Sequence, residues 1–182
     1  MKALYVHGYG SRGEPNAKTG MLQKFFEQID FVDTQGGYCP ECYASELEAI
    51  VESETQYDVI IGSSLGGFWA YQLASFVGKP CILFNPVTNP SVQLLSIDEE
   101  TAGFYKAEFE GEEKCELPIE PDQPCLVLIA DKDPVIPPQA AMDLFKGYAQ
   151  IEVIDSDDHT MNSEINTVEP FIEEFLKERL YL

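Results

Sequence analysis

Residues 62–66 read Gly-Ser-Ser-Leu-Gly, a G-x-S-x-G pattern with Ser64 at its centre. The β-branched run Asp58-Val59-Ile60-Ile61 precedes it, and Phe68, Trp69, Leu73, Phe76 and Val77 follow at the helical period. A serine on a sharp strand-to-helix turn is presented as a nucleophile, with its hydroxyl clear of the backbone. Gly62 and Gly66 remove the Cβ atoms that would crowd so tight a bend. The N–H of Leu65, opening the helix, is aimed at the oxyanion that forms when such a serine attacks an acyl carbon.

A weak nucleophile of this kind needs a base, and the base needs an acid to orient it. The chain has two histidines. His159, in Asp157-Asp158-His159-Thr160, follows the last apolar run and is the candidate general base. The acid lies in Ala130-Asp131-Lys132-Asp133-Pro134-Val135-Ile136-Pro137. Asp133 is expected to serve, because Pro134 biases it toward an extended conformation, whereas Asp131 follows the strand direction or pairs with Lys132. Ser64, Asp133 and His159 then form a catalytic triad in the chain order that α/β-hydrolases use. His7-Gly8-Tyr9-Gly10 closes the first apolar run, where the Tyr9 N–H is the expected second oxyanion donor and His7 a hydrogen-bonding residue of the loop.

Six apolar runs must position these groups: Lys2–Val6, Phe31–Gln35, Asp58–Gly62, Pro80–Phe84, Pro124–Ala130 and Gln150–Asp155. Helical patterns fall between most of them, including Asn16–Ile29, Ser45–Glu54 and Pro138–Tyr148. A last helix follows, with Thr167 as its cap and Pro170 in its first turn. The alternation predicts a doubly wound α/β fold: a mainly parallel six-stranded sheet with helices on both faces, forming one domain over residues 1–182. Asn89–Gln123 breaks the rhythm, mixing apolar residues such as Leu94, Leu95 and Phe104 with an acidic run from Asp98 to Glu116. It reads as a partial lid or as a solvated surface excursion.

The chain is 45% hydrophobic and 12% aromatic, which suits a packed globule. Its formal charge of −21 argues against nucleic acid or an anionic membrane surface as partner, since both require a cationic face. No secretory h-region is visible and no run approaches the ~18 apolar residues of a membrane span, so a cytoplasmic location is expected. Among the five cysteines, Cys81 and Cys125 fall inside apparent strands as small buried hydrophobes. Cys39-Pro40-Glu41-Cys42 is expected to be a reduced loop pair: a structural zinc site wants four ligands, and Cys115, His7 and His159 lack matching spacing. No metal is expected.

Taken together, Leu4-Tyr5-Val6-His7-Gly8-Tyr9, Gly62-Ser63-Ser64-Leu65-Gly66-Gly67, Phe84-Asn85-Pro86, Asp133 and His159 resemble the YqiA-like bacterial esterases over nearly the full length. The resemblance implies a truncated α/β-hydrolase fold, and hydrolysis of a small-molecule carboxylic ester or thioester without a cofactor. The chain departs from many relatives at Ala130, where they carry glycine, and in the Cys39/Cys42 pair. A catalytically silent binding or scaffold protein on the same fold is the alternative. A flavodoxin-like module with Gly62–Gly67 as an anion nest would leave His159 without a role.

Overall fold

Short aliphatic runs with no polar alternation make strands that must be covered on both faces. The computed structural model describes residues 1–12, 15–53, 55–111 and 115–180. Its strands are β1 (Lys2–Val6), β2 (Gln28–Phe31), β3 (Val59–Ser63), β4 (Cys81–Phe84), β5 (Cys125–Ala130) and β6 (Gln150–Ile154). They form one sheet in the order β2-β1-β3-β4-β5-β6, with every neighbouring pair parallel. The chain runs outward from β1 to β2 and returns to β3, so the order reverses between β1 and β3. In open sheets of this kind ligands bind beyond the carboxyl ends of the strands at such a reversal.

The helices are α1 (Ala17–Leu22), α2 (Pro40–Glu52), α3 (Leu65–Val77), α4 (Pro90–Gln93), α5 (Glu99–Glu108), α6 (Pro138–Phe145) and α7 (Ile165–Leu180). Successive strand residues face opposite sides, so β3 sends Ile60 into one core and Val59 and Ile61 into the other. Met21 and Leu22 of α1, with Val168, Ile172 and Phe175 of α7, close one face. Tyr43, Leu47, Phe68, Trp69, Tyr105 and Phe145 close the other. Each such side chain contributes about 1.5–3 kcal/mol by leaving water. Among the described residues no helix is long and apolar enough to cross a membrane.

Four boundaries differ most from the sequence reading. The helix expected over Asn16–Ile29 ends at Leu22, and the second strand spans Gln28–Phe31 in place of Phe31–Gln35. Phe25, Phe26 and Ile29 fit a helical period, but the Glu27 N–H bonds to the Met1 carbonyl at 2.9 Å and the chain then pairs with β1. Sheet pairing overrides local periodicity here. The second helix starts earlier than expected, with Cys39 as its N-cap and Pro40 as its first residue, where a missing N–H costs nothing. Cys39 and Cys42 are joined by a disulfide across that first turn, Cα–Cα 5.3 Å, correcting the expectation of a reduced loop pair. The last helix begins at Ile165, so Thr167 is not its cap and Pro170 lies inside it. Glu54, the end of the expected second helix, and residues 112–114 of the acidic run lie outside the described residues.

The segment after β4 is partly built into the core. Leu94 and Tyr105 are fully buried, and the Trp69 indole N–H donates to the Tyr105 hydroxyl at 2.8 Å. Leu94 is therefore a core residue, not free to cover a ligand, whereas Leu95 and Phe104 remain exposed.

Candidate active site

Ser64 links the end of β3 to the first residue of α3 with φ 55° and ψ −125°. A non-glycine residue in that region costs of order 1–3 kcal/mol and persists only where its surroundings fix it. Here the Ser64 N–H donates to the Phe84 carbonyl at 2.9 Å, and the Ser64 carbonyl accepts from Gly67 at 2.8 Å and Val87 at 3.0 Å. The glycines around the turn are there for space. A Cβ on Gly62 would stand 2.5 Å from the Gly66 carbonyl oxygen and from Ala70 Cβ, and one on Gly66 would overlap the carbonyls of Val6 and His7. The start of α3 thus rests directly on the end of β1.

Gly8 makes the same close approach from the other side. A Cβ there would lie 2.8 Å from the Ser63 carbonyl oxygen and 2.9 Å from Ser64 Cβ. Gly8→Ala must displace either the loop that carries Tyr9 or the turn that carries Ser64, so thermal scans should show a clear fall in Tm. Gly20→Ala, in open space at an exposed position of α1, should raise stability by up to about 1 kcal/mol. An unchanged Tm for Gly8→Ala would show that the two loops do not meet this closely.

His159 and Asp133 are brought together by the β5 and β6 loops. His159 Nδ1 donates to Asp133 Oδ2 at 2.6 Å, which leaves Nε2 with the free lone pair. The Asp133 side chain is 1% exposed. Its other oxygen accepts from the N–H groups of Val135 at 2.8 Å and Ile136 at 3.0 Å, so the carboxylate has a single orientation. Asp131 is committed elsewhere, accepting from the Ser156 N–H at 3.1 Å. Lys132 pairs with Asp155, not with Asp131.

The backbone around His159 is pinned on both sides. Asn85, at φ 42°, donates from Nδ2 to the His159 carbonyl at 2.8 Å and accepts from the Ala130 N–H at 2.7 Å. One side chain thereby joins the ends of β4 and β5 to the histidine loop. Asp158 folds that loop, accepting from the N–H and hydroxyl groups of Thr160 and Ser163. Partial burial works against its charge, yet these hydrogen bonds hold its carboxyl well below the usual carboxylate range. Lys18, buried at 2% exposure, donates from Nζ to Ser63 Oγ and to the Thr160 carbonyl, each at 2.9 Å. Asn85 could be found as the polar residue closing a strand beside a proline. Nothing in the sequence marks Lys18.

His7 is buried and serves its own loop. Nδ1–H donates to the Gly8 carbonyl at 3.0 Å, Nε2 accepts from the Thr34 hydroxyl at 3.3 Å, and the His7 carbonyl accepts from the Tyr43 hydroxyl at 3.0 Å. The Tyr9 ring packs on Tyr38 with centroids 4.5 Å apart, and its hydroxyl donates to Asp98 Oδ2 at 2.9 Å. Asp98 caps α5, so the loop of Tyr9 is tied to the segment 89–123. Leu65 is the first residue of α3, where backbone N–H groups have no acceptor within the helix. Cavities of about 560 and 410 Å³ flank α3 and are lined by neither Ser64 nor His159. Among the described residues, no three His, Cys, Asp or Glu side chains stand in metal-holding geometry.

A family model described as Uncharacterised protein family (UPF0227) matches residues 2–176. The UPF0227 protein of Shewanella sediminis (strain HAW-EB3) is 23% identical over 159 residues, covering 81% of this chain and 84% of that relative. Est1E from Butyrivibrio proteoclasticus superposes on 100% of this chain and 88% of its own, with TM-score 0.76 and 17% identity. The Pyrococcus furiosus esterase Pf2001 covers 97% of this chain and 80% of its own at TM-score 0.70 and 15% identity. Mouse alpha/beta hydrolase domain-containing protein 10 covers 97% and 92% at TM-score 0.69 and 17% identity. These likenesses establish an α/β-hydrolase fold.

Proposed function

The chain belongs to the UPF0227 family, and from that premise and the geometry of its site we propose that it is a serine hydrolase, cleaving carboxylic esters or thioesters through an acyl-enzyme. Ser64 Oγ attacks the acyl carbon while His159 Nε2 takes its proton. Asp133 keeps the imidazole in the required tautomer and balances its charge once protonated. The N–H groups of Tyr9 and Leu65 hold the tetrahedral oxyanion, where loss of one donor typically costs about 10²–10³-fold in turnover. The intermediate collapses and the leaving alcohol or thiol departs with the proton from His159. Water then repeats the attack on the acyl-enzyme, with His159 again as base.

The observation that carries this reading is the backbone of Ser64. A serine held at φ 55° between a strand and a helix stores strain with no structural return, and the oriented His159–Asp133 pair lies on the loops after β5 and β6 of the same sheet. A fluorophosphonate probe, followed by intact mass and peptide mapping, tests it: one adduct is expected, on Ser64. An adduct on Ser63 or elsewhere would move the nucleophile, and no adduct would leave a binding scaffold on this fold.

We assign residues 1–182 to one catalytic domain and segment 89–123 to a partial lid over the acyl group. Phe104 is 48% exposed on α5, and Tyr9 holds the cap of that helix against the site loop. Phe104→Ala should therefore lower kcat/KM for a hexanoyl ester several-fold, since each buried methylene contributes about 0.8 kcal/mol, and leave acetyl ester turnover nearly constant. An unchanged hexanoyl-to-acetyl ratio would return the segment to a plain surface excursion.

A further inference from the structure

We propose that Lys18 is a positioning residue, a buried clamp whose ammonium ties the turn of Ser64 to the loop of His159. The inference rests on the serine-hydrolase reading of the site. Its geometry is specific: Nζ bonds the hydroxyl of Ser63, the residue before the nucleophile, and the carbonyl of Thr160, the residue after the base. The Lys18 backbone N–H donates to Asn162 Oδ1 at 3.1 Å, so both ends of the residue hold the same loop. The ammonium also lies 4.6 Å from the ring centroid of Phe84, whose carbonyl accepts from Ser64.

The fold does not need this charge. Asn16 and Thr19 cap α1 reciprocally, and Met21 and Leu22 supply its core contacts. A methionine would fill the same space without the cost of burying an ammonium against neutral oxygens. Burial pulls the Lys18 pKa down to about 7, with Asp158 opposing the shift; Tyr5 on β1 also faces the group. The folded chain therefore bears the cost of the charge below about pH 7. The unfolded lysine stays protonated up to its ordinary value of 10.5, so the cost fades as pH rises between the two. A buried lysine that opposes folding and joins the two loops of a candidate active site is explained by what it holds in place.

Lys18→Met tests the clamp. Its Tm should be no lower than that of the unsubstituted protein, with a larger gain near pH 6 than near pH 9.5. Its kcat on a short-chain aryl ester should fall roughly 10- to 100-fold with KM nearly constant, because the lost quantity is alignment and not binding. The rate of fluorophosphonate labelling at Ser64 should fall in parallel. A labelling rate equal to the unsubstituted protein's overturns the clamp and leaves the hydrolase reading intact. Failure of the unsubstituted protein to label overturns both. If Lys18→Met does not fold, Ser63→Ala decides, since it removes one arm of the clamp and keeps the lysine. A kcat drop at constant KM supports the role, and an unchanged kcat overturns it.

Discussion

Ser64→Ala is expected to lower turnover of a short-chain aryl ester by about 10⁶-fold, the scale on which removal of a nucleophile silences a triad. The loss should not deepen when His159→Ala is added, because nucleophile and base act as a unit and the remainder comes from binding and oxyanion donors. Stability should separate from activity. Alanine retains the strain of φ 55°, whereas Ser64→Gly removes it, since glycine enters that region without a Cβ penalty. Ser64→Gly should therefore be as inactive as Ser64→Ala yet raise stability by roughly 1 kcal/mol, the lower end of the strain estimate. Steady-state kinetics and thermal scans on the two variants check both parts. Residual turnover above about 1% in Ser64→Ala would remove the serine from the mechanism.

Asp133→Asn should cost about 10⁴-fold in turnover. The cause lies in how the carboxylate is held. Asp133 Oδ1 accepts from the N–H groups of Val135 and Ile136, so an asparagine must place its carbonyl oxygen there. Its NH₂ group then faces His159 Nδ1, in the position where Oδ2 now accepts at 2.6 Å. Imidazole answers by moving its proton to Nε2, and Nε2 can no longer take a proton from Ser64. Asp131→Asn should cost less than about tenfold, because the amide oxygen can still accept from Ser156. A reversal of the two results would transfer the orienting role to Asp131 without changing the reaction class.

Much of the fold was legible because it is local. Short aliphatic runs mark strands wherever they fall, and the alternation with helical periods implies parallel pairing. The Ser64 turn was legible for the same reason: a serine between glycines at a strand–helix boundary has few other uses. Pro134 favoured Asp133 over Asp131 as the candidate acid through backbone sterics, a local effect. Where two local readings competed, the sequence did not decide. Phe25, Phe26 and Ile29 satisfy a helix, yet the open edge of β1 draws residues 28–31 into the sheet. Cys39 and Cys42 read as a loop pair, yet Pro40 opens a helix there and brings their sulfurs together.

The supports of the site belong to tertiary structure. Asn85 reaches His159 across 74 positions of chain and Lys18 reaches Thr160 across 142, so no spacing rule connects them. Leu94 looked like its exposed neighbour Leu95, yet the turn that ends α4 puts one in the core and the other in solvent. A lysine on a short polar-flanked helix reads as solvent-facing by default. Only the tertiary fold, which packs α1 against α7 and brings Lys18 to Ser63 at the end of β3 and to Thr160 in the loop after β6, seals Lys18 from water and gives its ammonium two loops to hold. Propensity and periodicity act between neighbours in sequence, and they determined most of the elements and the Ser64 turn. Burial and hydrogen-bond partnership act between neighbours in space, and they decided what keeps that turn and the histidine in register.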